Sequence, residues 1–104
     1  MRLAWVTGEF LVHRLHVSAE IPAATWSAMP FVSVTRTPEE LSVVAPSDVP
    51  IASERREGPF VAVRVAGTLP FDLVGVIVRI GEPLKAAGIP IFVVSTFDTD
   101  YVLV

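Results

Sequence analysis

The stretch that decides the fold is residues 61–104, VAVRVAGTLPFDLVGVIVRIGEPLKAAGIPIFVVSTFDTDYVLV. A β-rich run ends at a glycine, an amphipathic segment follows, and two further β-rich runs flank a short acidic turn. The pattern predicts a strand near 60–66, a helix near 72–87, and strands near 89–95 and 101–104. This order indicates an α+β domain with a helix on one face of an antiparallel sheet.

The predicted helix has one apolar stripe that can pack on a sheet. Its members recur at the spacing of one helix face and are Leu73, Val76, Ile77, Ile80, Leu84 and Ala87. Val74 and Val78 lie beside that stripe and are four residues apart, so they are neighbours on the helix surface. We predict that these two valines form an interface with a partner subunit.

The N-terminal half predicts short strands and little helix. Runs 3–6 and 10–17 are β-rich, and the break at Thr7, Gly8 and Glu9 predicts a hairpin between them. Residues 18–30 predict a connection with at most one helical turn, and 31–34 and 41–45 predict two more strands. Thr37 and the proline after it predict a capped helical turn between those strands.

Three prolines, a glycine and a charge run place a boundary at 46–59. We therefore divide one compact unit of 104 residues into halves, 1–58 and 59–104. Hydrophobic residues make up 52% and charged residues 18% of the chain, which predicts burial of apolar surface in a homo-oligomer.

Composition also argues against several function classes. A net charge of −3 with scattered basic residues argues against nucleic-acid binding. The chain has no cysteine, which excludes disulfides and thiolate metal sites. Neither a secretory signal nor an apolar run long enough for a membrane span is recognisable, so we predict a cytoplasmic protein without a membrane partner.

The turn into the predicted helix is a candidate anion site. Free N–H groups at a helix N-terminus attract a carboxylate, and Gly67 lets the backbone approach a ligand closely. Asp72 is the natural N-cap and would compete for the same donors. An ordinary capped helix explains the same residues, and the spacing by itself favours that interpretation.

Asp98 and Asp100 form a candidate cation site before the last strand. Two carboxylates can neutralise an ammonium or guanidinium group, although aspartate is also an ordinary turn residue. His13 and His16 would point to opposite faces of a strand, so we predict no metal site. No nucleophile and base pair or phosphate loop is recognisable, so we predict neither a cofactor nor an enzyme.

Six short segments together resemble a known family. They are ELSVV at 40–44, ERR at 54–56, VAGTL at 65–69, FDL at 71–73, AGI at 87–89 and IFVVSTFDTDYVLV at 91–104. Residues 30–104 resemble the ACT domain, an amino-acid-sensing module, and more narrowly the short bacterial ACT proteins related to the arginine-sensing CASTOR proteins.

The resemblance implies a ferredoxin-like ACT fold. Residues 1–58 would be a degenerate second ACT unit that shares its antiparallel sheet, and the C-terminal helix and strand usual in relatives are missing after residue 104. Trp5, Trp26 and Tyr101 are interpreted as core or interface aromatics.

The resemblance also implies a ligand site with three walls. The anion-binding wall would be Gly67, Thr68, Leu69, Asp72, Gly75 and Val76; the cation-binding wall Thr96, Asp98 and Asp100; and the opposite wall Ser33 and Val34. Which of the two aspartates contacts the ligand stays open.

The function that follows is a non-catalytic regulatory module. It would bind a small molecule, an amino acid, at a subunit or inter-unit interface of a homodimer and act through an effector protein. The alternative is an oligomerisation module with an empty or degenerate pocket.

Overall fold

The computed structural model describes the backbone of residues 2–66 and 73–104, with the side chains of 2–65 and 78–104. These residues form a mostly antiparallel sheet with few helices, in agreement with the predicted α+β class. The elements are β1 (Arg2–Leu15), α1 (Ala23–Trp26), β2 (Ser33–Arg36), β3 (Leu41–Pro46), β4 (Arg55–Ala66), α2 (Leu73–Ala86), β5 (Phe92–Ser95) and β6 (Asp100–Leu103). The strand order is β2-β3-β1-β4-β6-β5.

Contacts divide the chain into two compact units, Val6–Val61 and Ala62–Val104 with Met1–Trp5. In the first unit, β3 pairs antiparallel with both β1 and β2. Buried apolar side chains of β1 and β3 form the core, namely Leu15, Leu41, Val43 and Ala45. Phe10 adds an edge-to-face contact with Phe31, their ring centroids 5.8 Å apart. Leu41, Val43 and Ala45 share one face of β3, and the strand is buried on both faces from Val43 to Pro46.

The predicted hairpin at Gly8 is wrong, because β1 runs without interruption from Arg2 to Leu15. A glycine between β-rich runs is read as a turn, yet glycine also occurs where a single strand bends locally. Here Gly8 has a φ of 93° and the strand continues through it, with the carbonyl of Glu9 accepting a hydrogen bond from the backbone N–H of Ser47.

The predicted helical turn after Thr37 is also wrong, although the capping role of Thr37 is correct. Its hydroxyl oxygen accepts hydrogen bonds from the backbone N–H groups of Glu39 and Glu40, at 3.2 and 3.1 Å. The segment is a tight connection because Arg36 and Leu41 are already a strand pair. No room is left for a helix between β2 and β3, whereas the single turn α1 agrees with the prediction for 18–30.

In the second unit, β6 lies between β4 and β5 and pairs antiparallel with both. Its core includes Ala62, Val65, Val102 and Leu103, each no more than 2% exposed. The strand, helix, strand, strand order of residues 60–104 is as predicted. The strand β4 begins five residues before the predicted 60, because residues 55–59 are exposed and show no apolar alternation.

Helix α2 ends in a defined hydrogen-bonded cap. The N–H of Gly88, whose φ is +71°, donates to the carbonyl of Lys85, and the N–H of Ile89 donates to that of Leu84. This pair of bonds is a Schellman motif, which satisfies carbonyls that a helix end otherwise leaves without partners. Pro83 lies inside the last turn. Neither described helix is long and apolar enough to cross a membrane.

Gly58 occupies a crowded position in β4. Its φ is +123°, and a Cβ atom there would lie 3.0 Å from both the carbonyl oxygen of Phe10 and the Cδ2 atom of Leu11. Both the positive φ and the close approach of β1 therefore require glycine.

Candidate functional site

The turn between β5 and β6 is held by its two threonines. The backbone N–H of Thr96 donates to the carbonyl of Thr99 at 2.8 Å, and the hydroxyl of Thr96 donates to the same carbonyl at 3.1 Å. In return, the N–H of Thr99 donates to the hydroxyl oxygen of Thr96 at 3.2 Å. These bonds fix the loop that carries Asp98 and leads into Asp100.

Thr99 also ties this turn to the end of β4. Its hydroxyl donates a 2.7 Å hydrogen bond to the carbonyl of Val65. Val65 is two residues before Gly67, so the acidic turn lies beside the strand end that leads toward the predicted anion wall. The sequence places these two segments about 30 residues apart, and the hydrogen bond brings their ends together.

The two aspartates of the turn differ sharply in environment. Asp98 is exposed, whereas Asp100 is 1% exposed and pairs with Ser95 across the β5–β6 ladder. Neither carboxylate oxygen of Asp100 has a hydrogen-bond partner among the described residues. Burying a carboxylate costs several kcal/mol unless a cation or hydrogen-bond donors compensate it, and no described residue provides either for Asp100.

The remaining predicted site residues are not brought together by the described part of the chain. Gly67, Thr68, Leu69 and Asp72 lie outside the described residues. Gly75, Val76 and Val74 belong to α2, with side chains outside the described set. Ser33 and Val34 are half-buried on β2, opposite Val44 and Val43 of β3, and belong to the other unit.

His13 and His16 have separate environments. His13 is buried, with Nδ1 3.0 Å from the Ser53 hydroxyl, whereas His16 is exposed and contacts Ser18. Burial, and secondly the positive charge of Arg56, lowers the pKa of His13. Among the described residues no three potential ligands cluster in a metal-binding arrangement.

Sequence reasoning missed the contact between His13 and Ser53, which are 40 residues apart and carry no shared motif. Trp5 and Trp26 were predicted as core or interface aromatics. They are 74% and 62% exposed and therefore outside the core of this chain, which leaves the interface role as a prediction.

Comparison with known proteins found similarity to two family models and to a solved structure. A family model described as the ACT domain matches residues 55–104, and a model of an N-terminal domain matches residues 8–52. No curated protein matches the chain. A crystal structure of protein Atu0741 from Agobacterium tumefaciens is similar, with 38% sequence identity and a TM-score of 0.85, over 97% of this chain and 75% of that chain.

Proposed function

Because residues 55–104 belong to the ACT domain family, whose members are regulatory modules that bind small ligands, we propose that the ligand of this chain is an amino acid with a cationic group. The module is non-catalytic and acts by binding. The ammonium or guanidinium group of the ligand contacts Asp100, and the ligand carboxylate binds near the start of α2.

The observation that carries this proposal is the buried carboxylate of Asp100. It is 1% exposed and has no partner among the described residues. A charge-assisted hydrogen bond from a ligand cation would compensate its lost hydration, and such bonds are stronger than those between neutral groups. Asp98 lacks this argument, because its exposed carboxylate is already hydrated.

The carboxylate end of the ligand is assigned to the N-terminal end of α2. This helix has 14 residues and begins at Leu73, so its first N–H groups have no partner within the helix. Such groups attract anions, helped by the positive end of the helix dipole. The assignment of Gly67, Thr68, Leu69, Asp72, Gly75 and Val76 to this wall remains a prediction from the family resemblance.

The site is proposed to be completed at a subunit interface. Ser33 and Val34 would supply the opposite wall in a homodimer. Val78 is 52% exposed in the single chain, which supports an interface on that side of α2. Ligand binding would then favour one arrangement of subunits, to an extent set by its difference in affinity between arrangements. A cytoplasmic effector protein would respond to the change in subunit arrangement.

The test is a thermal-shift screen against the twenty amino acids. A ligand at 100 times its dissociation constant adds about 2.7 kcal/mol to the stability of the folded state. We expect a shift with a cationic amino acid that Asp100→Asn abolishes and Asp98→Asn retains. A shift that survives Asp100→Asn unchanged, or no shift with any amino acid, would contradict the proposal.

An oligomerisation module with a degenerate pocket is the second candidate. Phe97 is fully exposed at the tip of the β5–β6 turn, and Trp5 and Val78 are also exposed, so the chain has apolar surface available for other copies. A well-folded oligomer that no amino acid stabilises would favour this function.

A further inference from the structure

An apolar groove lies beside α2 in the unit of Ala62–Val104 and Met1–Trp5, and neither Asp98 nor Asp100 is among the residues that line it. Its volume is about 440 Å³, within the range of small-molecule sites. Ile80, Pro83 and Leu84 line it from the helix. The helix residues Ile80 and Leu84 are one turn apart, so they present a continuous apolar wall.

The opposite wall comes from strands. Leu3 and Trp5 of β1 are 50% and 74% exposed, and Val63 and Val102 line the groove from β4 and β6. Side chains two apart on a strand share a face, which places Leu3 and Trp5 side by side. The groove thus offers an aromatic ring and branched side chains to a ligand that enters from solvent.

Among the described residues that line the groove, Arg79 has the one charged side chain. Its guanidinium makes no hydrogen bond or ion pair with any described residue. Asp98 and Asp100 are not among the residues that line the groove, so no carboxylate of that turn neutralises Arg79. The described lining therefore combines apolar side chains with one exposed guanidinium that has no partner among the described residues.

We propose that this groove binds an amphipathic monocarboxylate, whose apolar chain lies between α2 and the strands while its carboxylate pairs with Arg79. Guanidinium and carboxylate can form two parallel hydrogen bonds, which orient the ligand at one end of the groove. The apolar chain supplies affinity in proportion to its buried length. This ligand class is the reverse of the cation proposed at Asp100, so the two sites are chemically distinct.

The experiment titrates the full chain with octanoate below its micelle concentration and follows tryptophan emission. Trp26→Phe removes the second tryptophan and leaves Trp5 as the reporter. We expect a saturable change in emission, with affinity rising up to about fourfold for each added methylene in the series hexanoate, octanoate and decanoate.

Charge variants separate a built site from general apolar adsorption. Arg79→Gln should weaken octanoate binding about tenfold, Arg79→Lys should weaken it less, and Lys85→Gln, a cation on the same helix outside the groove, should leave it unchanged. Binding of 1-octanol should not respond to Arg79→Gln. Equal octanoate affinity in the parent and Arg79→Gln, or no saturable change in emission, would overturn the proposal.

A second copy of the chain is the competing occupant, and light scattering tests it. Leu84→Glu introduces a charge into the groove, with circular dichroism to verify folding. If the parent is an oligomer that Leu84→Glu converts to monomer, and neither form binds octanoate, the groove is an interface between copies and the proposal fails. Loss of octanoate binding by Leu84→Glu with unchanged oligomer size supports it.

Discussion

The hydroxyl of Thr99 donates a 2.7 Å hydrogen bond to the backbone carbonyl of Val65. Through this bond the acidic turn is fixed to the end of β4. The position of Asp100 is therefore set by strand pairing on one side and by a side-chain bond on the other.

Removing that bond should loosen the turn. Thr99→Val keeps the shape of the side chain but leaves the carbonyl of Val65 without its donor, so we expect a loss of about 1 kcal/mol in the free energy of unfolding. Urea denaturation measures the loss. Thr99→Ser retains the hydroxyl and should lose less than half as much; a loss in Thr99→Val no larger than that in Thr99→Ser would contradict a stabilising role of the hydrogen bond.

Asp100→Asn should raise the free energy of unfolding by about 1 kcal/mol, because an amide is cheaper to bury than a carboxylate without partners. Stability that rises while ligand binding is lost is the signature of a residue kept for function. Asp98→Asn, in the exposed part of the same turn, should change stability by no more than about 0.5 kcal/mol. A large destabilisation by Asp100→Asn would indicate that the carboxylate has a structural partner.

Acid should destabilise the chain through His13. Burial and Arg56 lower the pKa of His13 in the folded state below its ordinary value of 6.5. Below pH 6.5 the unfolded chain binds a proton that the folded chain does not. The free energy of unfolding then falls as the pH falls to the folded pKa, by up to about 1.4 kcal/mol per pH unit.

The measurement compares urea midpoints between pH 7.5 and 5.0. His13→Gln should remove this part of the pH dependence, whereas His16→Gln, at an exposed position, should retain it. Identical pH profiles for the parent and His13→Gln would refute the assignment.

Helix α2 offers a test of assembly. If Val74 and Val78 form a subunit interface, changing both to glutamate should give a monomer by size-exclusion chromatography with light scattering, because charges would then be buried without partners. Val78 is 52% exposed in the single chain, so Val78→Glu by itself should not unfold the protein, and circular dichroism checks the folding of the double variant. An unchanged molecular mass would show that Val74 and Val78 do not form a subunit interface.

The sequence predicted the C-terminal half better than the N-terminal half for a physical reason. The apolar residues of α2 repeat with the helical period, and the bounds of α2 came within one residue of the predicted ones. The predictions of a hairpin at Gly8 and of a strand start at residue 60 were wrong, because the exposed strand residues there lack an apolar alternation. A glycine inside such a strand is then indistinguishable from a turn.

The sequence predicted which turn carries the candidate site, but not which of its two aspartates is buried. Asp98 and Asp100 have the same chemistry in the same turn, and only the structure distinguishes the exposed Asp98 from the buried Asp100. The groove beside α2 was not predictable at all. Trp5 and Arg79 are more than 70 positions apart, and no local pattern relates them.

Gly8 in β1 and Gly58 in β4 differ in how readily another residue can replace them. Gly8 and Gly58 both have positive φ, but a Cβ at Gly8 would meet no atom within 4 Å, whereas one at Gly58 would collide with the backbone of Phe10. Related chains can therefore drift to asparagine at position 8, a residue that tolerates this backbone region. No such replacement is expected at position 58. Random mutagenesis should therefore recover folded variants at Gly8 and almost none at Gly58.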